Sequence, residues 1–385
     1  MNSRSTHQIY SQAKKKLGQE AATDLKRIAK KLQSNSLPVL FSLKHLSIIT
    51  NIDFRYLRKI VNRRSYEANY SLFSIRKRSG GRRFIHAVTG ELFYLQRYIN
   101  KEILQKIEPH HSSYAFHSGK GIRDCAEVHC GAKWLFQFDL RDFFYSINEP
   151  SVYKIFRQAG YPKLLSFELA RLCTTTHLPA AKRKYLNFSP TRWGSENDYP
   201  YPKDEHGQTL GVLPQGAPTS PALSNLVAKE LDKYIEQYAD EHNLSYTRYA
   251  DDITLSAVEL PSKMSAHKIR YDVNGLIYKA GFRANKKKTR IAGPGAKKLV
   301  LGLLVDGHTP RLSRETVKRL DRLLHAISKY RWKCVADNEG FDSVYGLENH
   351  LHGLLCHIKD VDYERWQKYY PKFVEQQKQL NKIGS

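Results

Sequence analysis

Asp251 and Asp252 stand side by side in RYADDITLS (248–256), between flanks rich in aromatic and β-branched residues. Such flanks read as strand, and a strand interior is a poor place for Asp. One explanation is a hairpin turn, where an Asp side chain hydrogen-bonds the local backbone. The other is chemical, because adjacent carboxylates repel each other unless a cation shares them. Asp139 is a third carboxylate, near the end of the strand-like LFQFDL (135–140) and just before RDFFYSI. An Asp on one strand and a pair on a neighbouring hairpin can hold two divalent ions. Metals about 3.5–4 Å apart stabilise both the attacking and the leaving oxygen in phosphoryl or nucleotidyl transfer. All-oxygen ligands favour Mg²⁺.

Two further stretches fit that chemistry. In LPQGAPTSPALSN (213–225), Gly216 and its small neighbours let Gln215 and the backbone approach a ligand ahead of a helix N-terminus. Ser220 is placed to cap that helix, with Pro221 in its first turn. RKRSGGRR (76–83) is a basic turn suited to triphosphate oxygens, which Arg grips bidentately and Lys meets as a point charge. Each stretch also has an ordinary reading, as a loop before a capped helix and as a solvated turn.

The rest of the chain must position these groups. Its 385 residues suggest two or three folding units at roughly 150 residues per domain. Lys and Arg total 63 against 37 Asp and Glu, a net charge of +26 that points to a polyanionic partner, nucleic acid before a membrane surface. No run approaches the roughly 18 apolar residues of a membrane span. The N-terminal residues lack a signal peptide's apolar core. Five cysteines without C-x-x-C spacing suggest reduced thiols in a cytoplasmic protein. Cys125 and Cys130 flank His129, but no second ligand pair accompanies them.

Residues 1–66 read as helices, and SLFSIRKRSGGRRFIHAV (71–88) as a hairpin. A helix is expected across 91–107, and a short one at RDFFYSI. Four prolines and scattered charges over 174–210 suggest a long loop or insertion. From Ser220, Leu223, Leu226, Val227, Leu231, Tyr234, Ile235 and Tyr238 form one helical stripe. A helix over 265–281, a strand LVLGLLV (299–305), an amphipathic helix over 313–330 and a helical, basic tail over 343–380 complete the pattern.

The basic Gly-Gly hairpin, FDLRDFFYSI, QGAPTSPALSN, YADD, KKKTRI and LGLLV occur in the order used by reverse transcriptases. Over roughly residues 70–310 the chain resembles a bacterial retron-type reverse transcriptase. The resemblance implies an α+β, right-hand polymerase fold. Its parts would be an N-terminal helical region (1–70), fingers (71–135), a palm (136–306, with the insertion 174–210) and a thumb with basic C-terminal helices (307–385). It also implies that Asp139, Asp251 and Asp252 form the catalytic triad. Asp139 and Asp251 would bind two Mg²⁺ ions, or Mn²⁺, with help from the Leu140 carbonyl and support from Asp252. Gln215 would meet the incoming dNTP, and Arg76 or Lys77 with Arg83 its triphosphate. Phe144 falls at the steric-gate position, although only one of Phe143 and Phe144 can face the site. Lys288 would protonate pyrophosphate. Two marks of the retron lineage are altered. CAEVH (125–129) keeps Ala126 and His129 of N-A-x-x-H with Cys125 for Asn, and VLG (300–302) has Leu301 for Thr of V-T-G.

The retron reading implies a cognate non-coding RNA, bound by His129 and by Arg314, Lys318, Arg319 and Arg322 of the thumb. RNA stems are met through shape, phosphates and 2′-OH groups, which suits a basic surface. The cDNA would start at a guanosine 2′-OH and end as a branched RNA–DNA hybrid, in anti-phage defence with a separate effector protein. Other defence-associated or group II-like reverse transcriptases, and an inert RNA-binding scaffold, are the alternatives. A scaffold has no reason to keep three repelling carboxylates.

Overall fold

The computed structural model describes residues 6–63, 69–76, 80–186, 199, 210–262 and 264–383. The described chain opens on α1 (Thr6–Leu17), α2 (Gln19–Ser34), α3 (Leu43–Thr50) and α4 (Phe54–Val61). Next come the hairpin β1 (Tyr70–Arg76) and β2 (Arg82–Val88), α5 (Gly90–Glu102), a 3₁₀ turn (Leu104–Lys106) and α6 (Ile122–Glu127). β3 (Trp134–Asp139) runs into α7 (Phe143–Ser146), α8 (Glu149–Ala159), α9 (Lys163–Cys173) and a second 3₁₀ turn (Ala180–Tyr185). Then follow α10 (Ser220–Val227), α11 (Lys229–Glu241), β4 (Ser245–Tyr249), β5 (Asp252–Ala257), α12 (Ala266–Lys279) and β6 (Arg290–Ala292). The chain closes with β7 (Leu299–Val300), β8 (Leu303–Leu304), β9 (Arg311–Leu312), α13 (Arg314–Lys329), α14 (Trp332–Asn338), α15 (Val344–Val361) and α16 (Tyr363–Ile383).

The element that matters most is an antiparallel sheet in the order β4-β5-β3-β6. Side chains alternate across a strand with period two, and here the two faces differ. Phe136, Phe138, Ile253, Leu255 and Tyr246 point into the main core, with Leu223, Leu231, Ile235, Ile269 and Val273 of the covering helices. The other set is Asp139 and Gln137 on β3, Asp252, Thr254 and Ser256 on β5, and Thr247 on β4. Register places Asp139 opposite Asp252 and Thr247 opposite Thr254. The helix side is therefore largely apolar, and the far side is polar at the end that carries the carboxylates, while Leu135 at its other end packs with Ala126, Val300 and Leu303. The C-terminal helices pack around a core of their own, with Leu320, Leu324, Leu351, Ile358 and Phe373.

Several local expectations change. The stripe from Leu223 to Tyr238 breaks at Ala228, which ends α10 and starts α11. Ser220 does not cap α10; Thr219 holds that position without a side-chain capping bond, and Ser220 Oγ donates to the Pro214 carbonyl at 2.7 Å. Pro221 does lie in the first turn. LVLGLLV is a tight hairpin and not one strand, because Leu301 (φ 50°) and Gly302 (φ 88°) turn the chain between β7 and β8. The expected helix over 91–107 ends as α5 at Glu102. In 174–210, residues 187–198 and 200–209 lie outside the described residues. Its ends are tied by reciprocal bonds between Thr175 and Val212, each 2.9 Å. Tyr199 is buried against Tyr153 and Phe167, and its hydroxyl donates to Glu149.

Candidate active site

β4 and β5 are joined by Ala250 and Asp251, with Ala250 at φ 55°. The turn is held from below. Arg248, fully buried, alternates to the core side of β4 and meets both oxygens of Asp232 on α11 at 2.6 and 2.7 Å. It also donates to Asn225 at 3.0 Å and to the Ala250 carbonyl at 3.1 Å, so the turn rests on an internal ion pair. The Asp251 carbonyl accepts from Leu140 N at 2.8 Å, which ties the turn to the end of β3. Asp139, Asp251 and Asp252 thus converge where β3 and the β4–β5 hairpin end.

Electrostatics mark this convergence. Burial, then the Asp139 charge, pushes the Asp251 carboxyl up, while Lys288 and Arg83 pull against it. Burial, then Asp251 and Asp139, raises Asp252 to about 6. Lys288 Nζ donates to Asp139 Oδ2 at 2.5 Å, and that bond holds the lysine above its ordinary range. Of the three consecutive lysines, Lys288 is therefore the one that reaches the cluster. Asn285 donates to Asp139 Oδ1 at 3.0 Å, and its backbone N–H to the Asp139 carbonyl at 2.7 Å. The site is a hard-oxygen donor set whose charges repel and which already attracts an ammonium. Such a set fits divalent cations with the Mg²⁺ preference for carboxylates.

The flanking residues fall around this point. Phe143 is buried against Phe282, whereas Phe144 is half-exposed, with its ring centroid 6.4 Å from that of Phe116. That divides the Phe143–Phe144 pair: Phe144 is the more open ring. Gln215 offers its backbone carbonyl to His86 N of β2 at 2.8 Å, which joins the QG loop to the basic hairpin. Gly216 makes the junction possible, since it has φ 110° and a Cβ there would meet Ile85 Cγ2 at 2.9 Å and the His86 carbonyl at 3.1 Å. Gly216→Ala is expected to cost about 1–3 kcal/mol through backbone strain and contact, read as a lower melting temperature. An unchanged melt would mean the loop is not locked to β2.

On the hairpin, Arg76 lies opposite Arg82 and Ile75 opposite Arg83. Like charges facing across a strand pair are unfavourable, so these exposed guanidiniums suit an anion. Lys77 lies outside the described residues. Arg82 was not singled out from the sequence, although strand register alone would have paired it with Arg76.

His129 needs correction. It is fully buried, with Nδ1 2.7 Å from Ser256 Oγ and Nε2 2.7 Å from Thr247 Oγ1, and burial pushes it down to about 3. It is a neutral brace beneath β4 and β5 and cannot touch RNA from there. Cys125 joins that brace, its thiol donating to Thr247 Oγ1 at 3.3 Å. A thiol therefore supplies a hydrogen bond where the retron pattern has Asn. On α13, Arg314 and Lys318 are exposed, Arg319 is half-buried, and Arg322 pairs with Glu339 at 3.1 Å.

Away from this site, His110, His111 and Glu236 bring their ligand atoms within 4.8 Å of one another. They fasten the segment beside β4 to α11, with Ser112 Oγ also donating to Glu236 at 2.5 Å. Among the described residues no helix is long and apolar enough to cross a membrane.

The family model for reverse transcriptase (RNA-dependent DNA polymerase) matches residues 75–305, more than half of the chain. The retron Ec86 reverse transcriptase of Escherichia coli is 30% identical over 77% of this chain and 81% of its own length. The retron Mx162 reverse transcriptase of Myxococcus xanthus is 27% identical over 86% of this chain and 67% of its own. Among solved structures, a foamy viral protease-reverse transcriptase in complex with double-stranded DNA aligns with 76% of this chain and 36% of its own, at 15% identity and a TM-score of 0.36. On the sequence matches, this chain belongs to the reverse transcriptases and is an RNA-directed DNA polymerase of the retron type, and its helices and antiparallel sheets make it α+β.

Proposed function

We propose that this polymerase copies a cognate structured non-coding RNA. It starts from a guanosine 2′-OH of that RNA and leaves a branched RNA–DNA hybrid, in anti-phage defence alongside a separate effector protein in the cytoplasm. The observation that carries the polymerase site is the convergence of Asp139, Asp251 and Asp252 on the polar end of one sheet, facing Lys288 and Arg83. Residues 71–135 would serve as fingers, 136–306 as palm and 307–385 as thumb, with 1–70 as an N-terminal support.

Asp139 and Asp251, with the Leu140 carbonyl, would hold two Mg²⁺ ions, and Asp252 would set the local charge. When bound, the ions stabilise both the attacking and the leaving oxygen. The residues do the rest. Arg83, whose charge already acts on Asp251, grips the triphosphate, while Arg76 pairs with Arg82 on the other face of the hairpin. Gln215 orients the nucleotide, and Phe144 crowds a ribose 2′-OH. Lys288 swings from Asp139 and gives its proton to the pyrophosphate oxygen as it departs. Arg314, Lys318 and Arg319 track RNA phosphates along α13.

Two outcomes check this reading. Phe144→Ala should raise ribonucleotide incorporation relative to deoxynucleotide by about 10²-fold, since removing a bulky wall relaxes a steric exclusion. Unaltered discrimination in single-nucleotide kinetics would count against the gate. The second is a pH dependence. Asp252 has its folded pKa raised to about 6 from an ordinary 3.8. Its contribution to the metal-free fold is therefore full below about 4 and lost as pH rises through about 6. Metal binding needs the ionised form, so Mg²⁺ should raise the melting temperature more at pH 7.5 than at pH 5. Equal Mg²⁺ shifts at both pH values would oppose the assignment.

A further inference from the structure

Asp142 has no part in the reading above, yet its surroundings are tightly built. Its backbone is left-handed, φ 51°, at the N-terminal edge of the single turn α7, whose second residue is Phe144. A non-glycine residue stays in that region only when its surroundings hold it. The Asp142 side chain makes no capping bond to α7. Its oxygens are taken instead by the 3₁₀ turn Ala180–Tyr185. Lys182 Nζ donates to Oδ1 at 2.5 Å, and the Tyr185 hydroxyl donates to Oδ2 at 2.8 Å.

The same turn grips the other side of Phe144. Tyr145 stacks on Tyr185 with centroids 6.4 Å apart, and Lys182 Nζ lies 5.9 Å from the Tyr145 ring centre. The Tyr145 hydroxyl reaches the Phe84 carbonyl of β2 at 3.3 Å. Leu210 N donates to the Leu186 carbonyl at 3.2 Å, so the turn is anchored where the segment 174–210 returns to the fold. Burial works against the Asp142 charge, but the Lys182 and Tyr185 hydrogen bonds keep its carboxyl below the ordinary range.

We propose that Lys182 and Tyr185, at the root of the 174–210 segment, are positioning residues that lock Asp142 and so fix the ring of Phe144 against the nucleotide sugar. The consequence for sugar selection rests on the reading of Phe144 as the steric gate. Residues on either side of Phe144 are bonded to one turn, so loosening that turn frees the ring without touching it. Small misplacements of a positioning group cost rate steeply.

The test uses the full chain with 4-fluorophenylalanine at position 144, in wild type, Lys182→Ala, Tyr185→Phe and Lys182→Arg backgrounds. Fluorine NMR of residue 144 is read beside single-nucleotide kinetics for deoxy- and ribonucleotides. Lys182→Ala should broaden or shift the resonance and raise relative ribonucleotide kcat/KM about tenfold, with Lys182→Arg restoring both. A resonance and a discrimination unchanged in Lys182→Ala and Tyr185→Phe would overturn the proposal. If the resonance moves but Phe144→Ala leaves discrimination unaltered, the lock stands and the gate reading falls. Lys182 is partly exposed, and a melting curve confirms that each variant is folded.

Discussion

Asp251→Asn is expected to lower RNA-templated nucleotide incorporation by at least about 10³-fold, as the loss of a ligand from a two-metal site would. The same change is expected to stabilise the metal-free protein at neutral pH. Asp251 and Asp252 each carry a raised pKa, from burial first and from neighbouring carboxylates second. Removing one charge relieves the other, so Asp252 in the variant should titrate lower than about 6. Because Asp252 is exposed in part, solvent screens much of the repulsion, and the gain in melting temperature should be about 1–3 °C. A residue kept for structure would show the opposite pair of effects. Loss of stability together with loss of activity would remove the catalytic assignment. Calorimetry and primer extension on one preparation decide between them.

Arg248→Met carries the largest expected cost in stability, about 3–5 kcal/mol, because it strands the buried Asp232 charge. Both side chains are fully buried, and Asp232 also accepts from the Tyr246 hydroxyl at 2.7 Å. Urea unfolding measures the loss. Replacing both partners, Arg248→Met with Asp232→Leu, should recover most of it, since an apolar pair of similar volume leaves no charge behind. Activity should not recover with the fold. The double variant still lacks the Arg248 bond to the Ala250 carbonyl, one residue before Asp251, and should stay about tenfold down in rate. A double variant with full activity would show that the turn needs no support from below.

The two experiments also separate what a sequence exposes from what it conceals. Asp139, Asp251 and Asp252 are legible because each breaks a local rule, a carboxylate placed where strand patterning asks for β-branched or aromatic residues. Gly216 is legible for a different reason, as a small residue that lets the backbone come close just ahead of a helix start. Arg248 carried a weaker signal: alternation from Tyr246 puts it on the core side, where a charge must have a partner. Its partner Asp232 lies on another element, and nothing in local spacing names it. Asn285, which holds Asp139 from the loop between α12 and β6, is hidden in the same way. His129 shows the reverse case. Its place in a lineage pattern suggested RNA contact, while its burial against two hydroxyls is decided by tertiary packing. The break at Ala228 and the turn at Leu301 were missed because apolar content continues through both.

The nucleic acid that accompanies the protein from its native locus reports its reaction directly. Wild type and the Asp251→Asn/Asp252→Asn variant would be purified in parallel and their nucleic acids treated with RNase, DNase and debranching enzyme. A short DNA is expected in the wild type that survives RNase, is joined to RNA through a debranching-sensitive linkage, and is absent from the variant. Wild-type protein carrying only RNA, or DNA that persists in the variant, would contradict that expectation and favour a maturase-like or scaffold role.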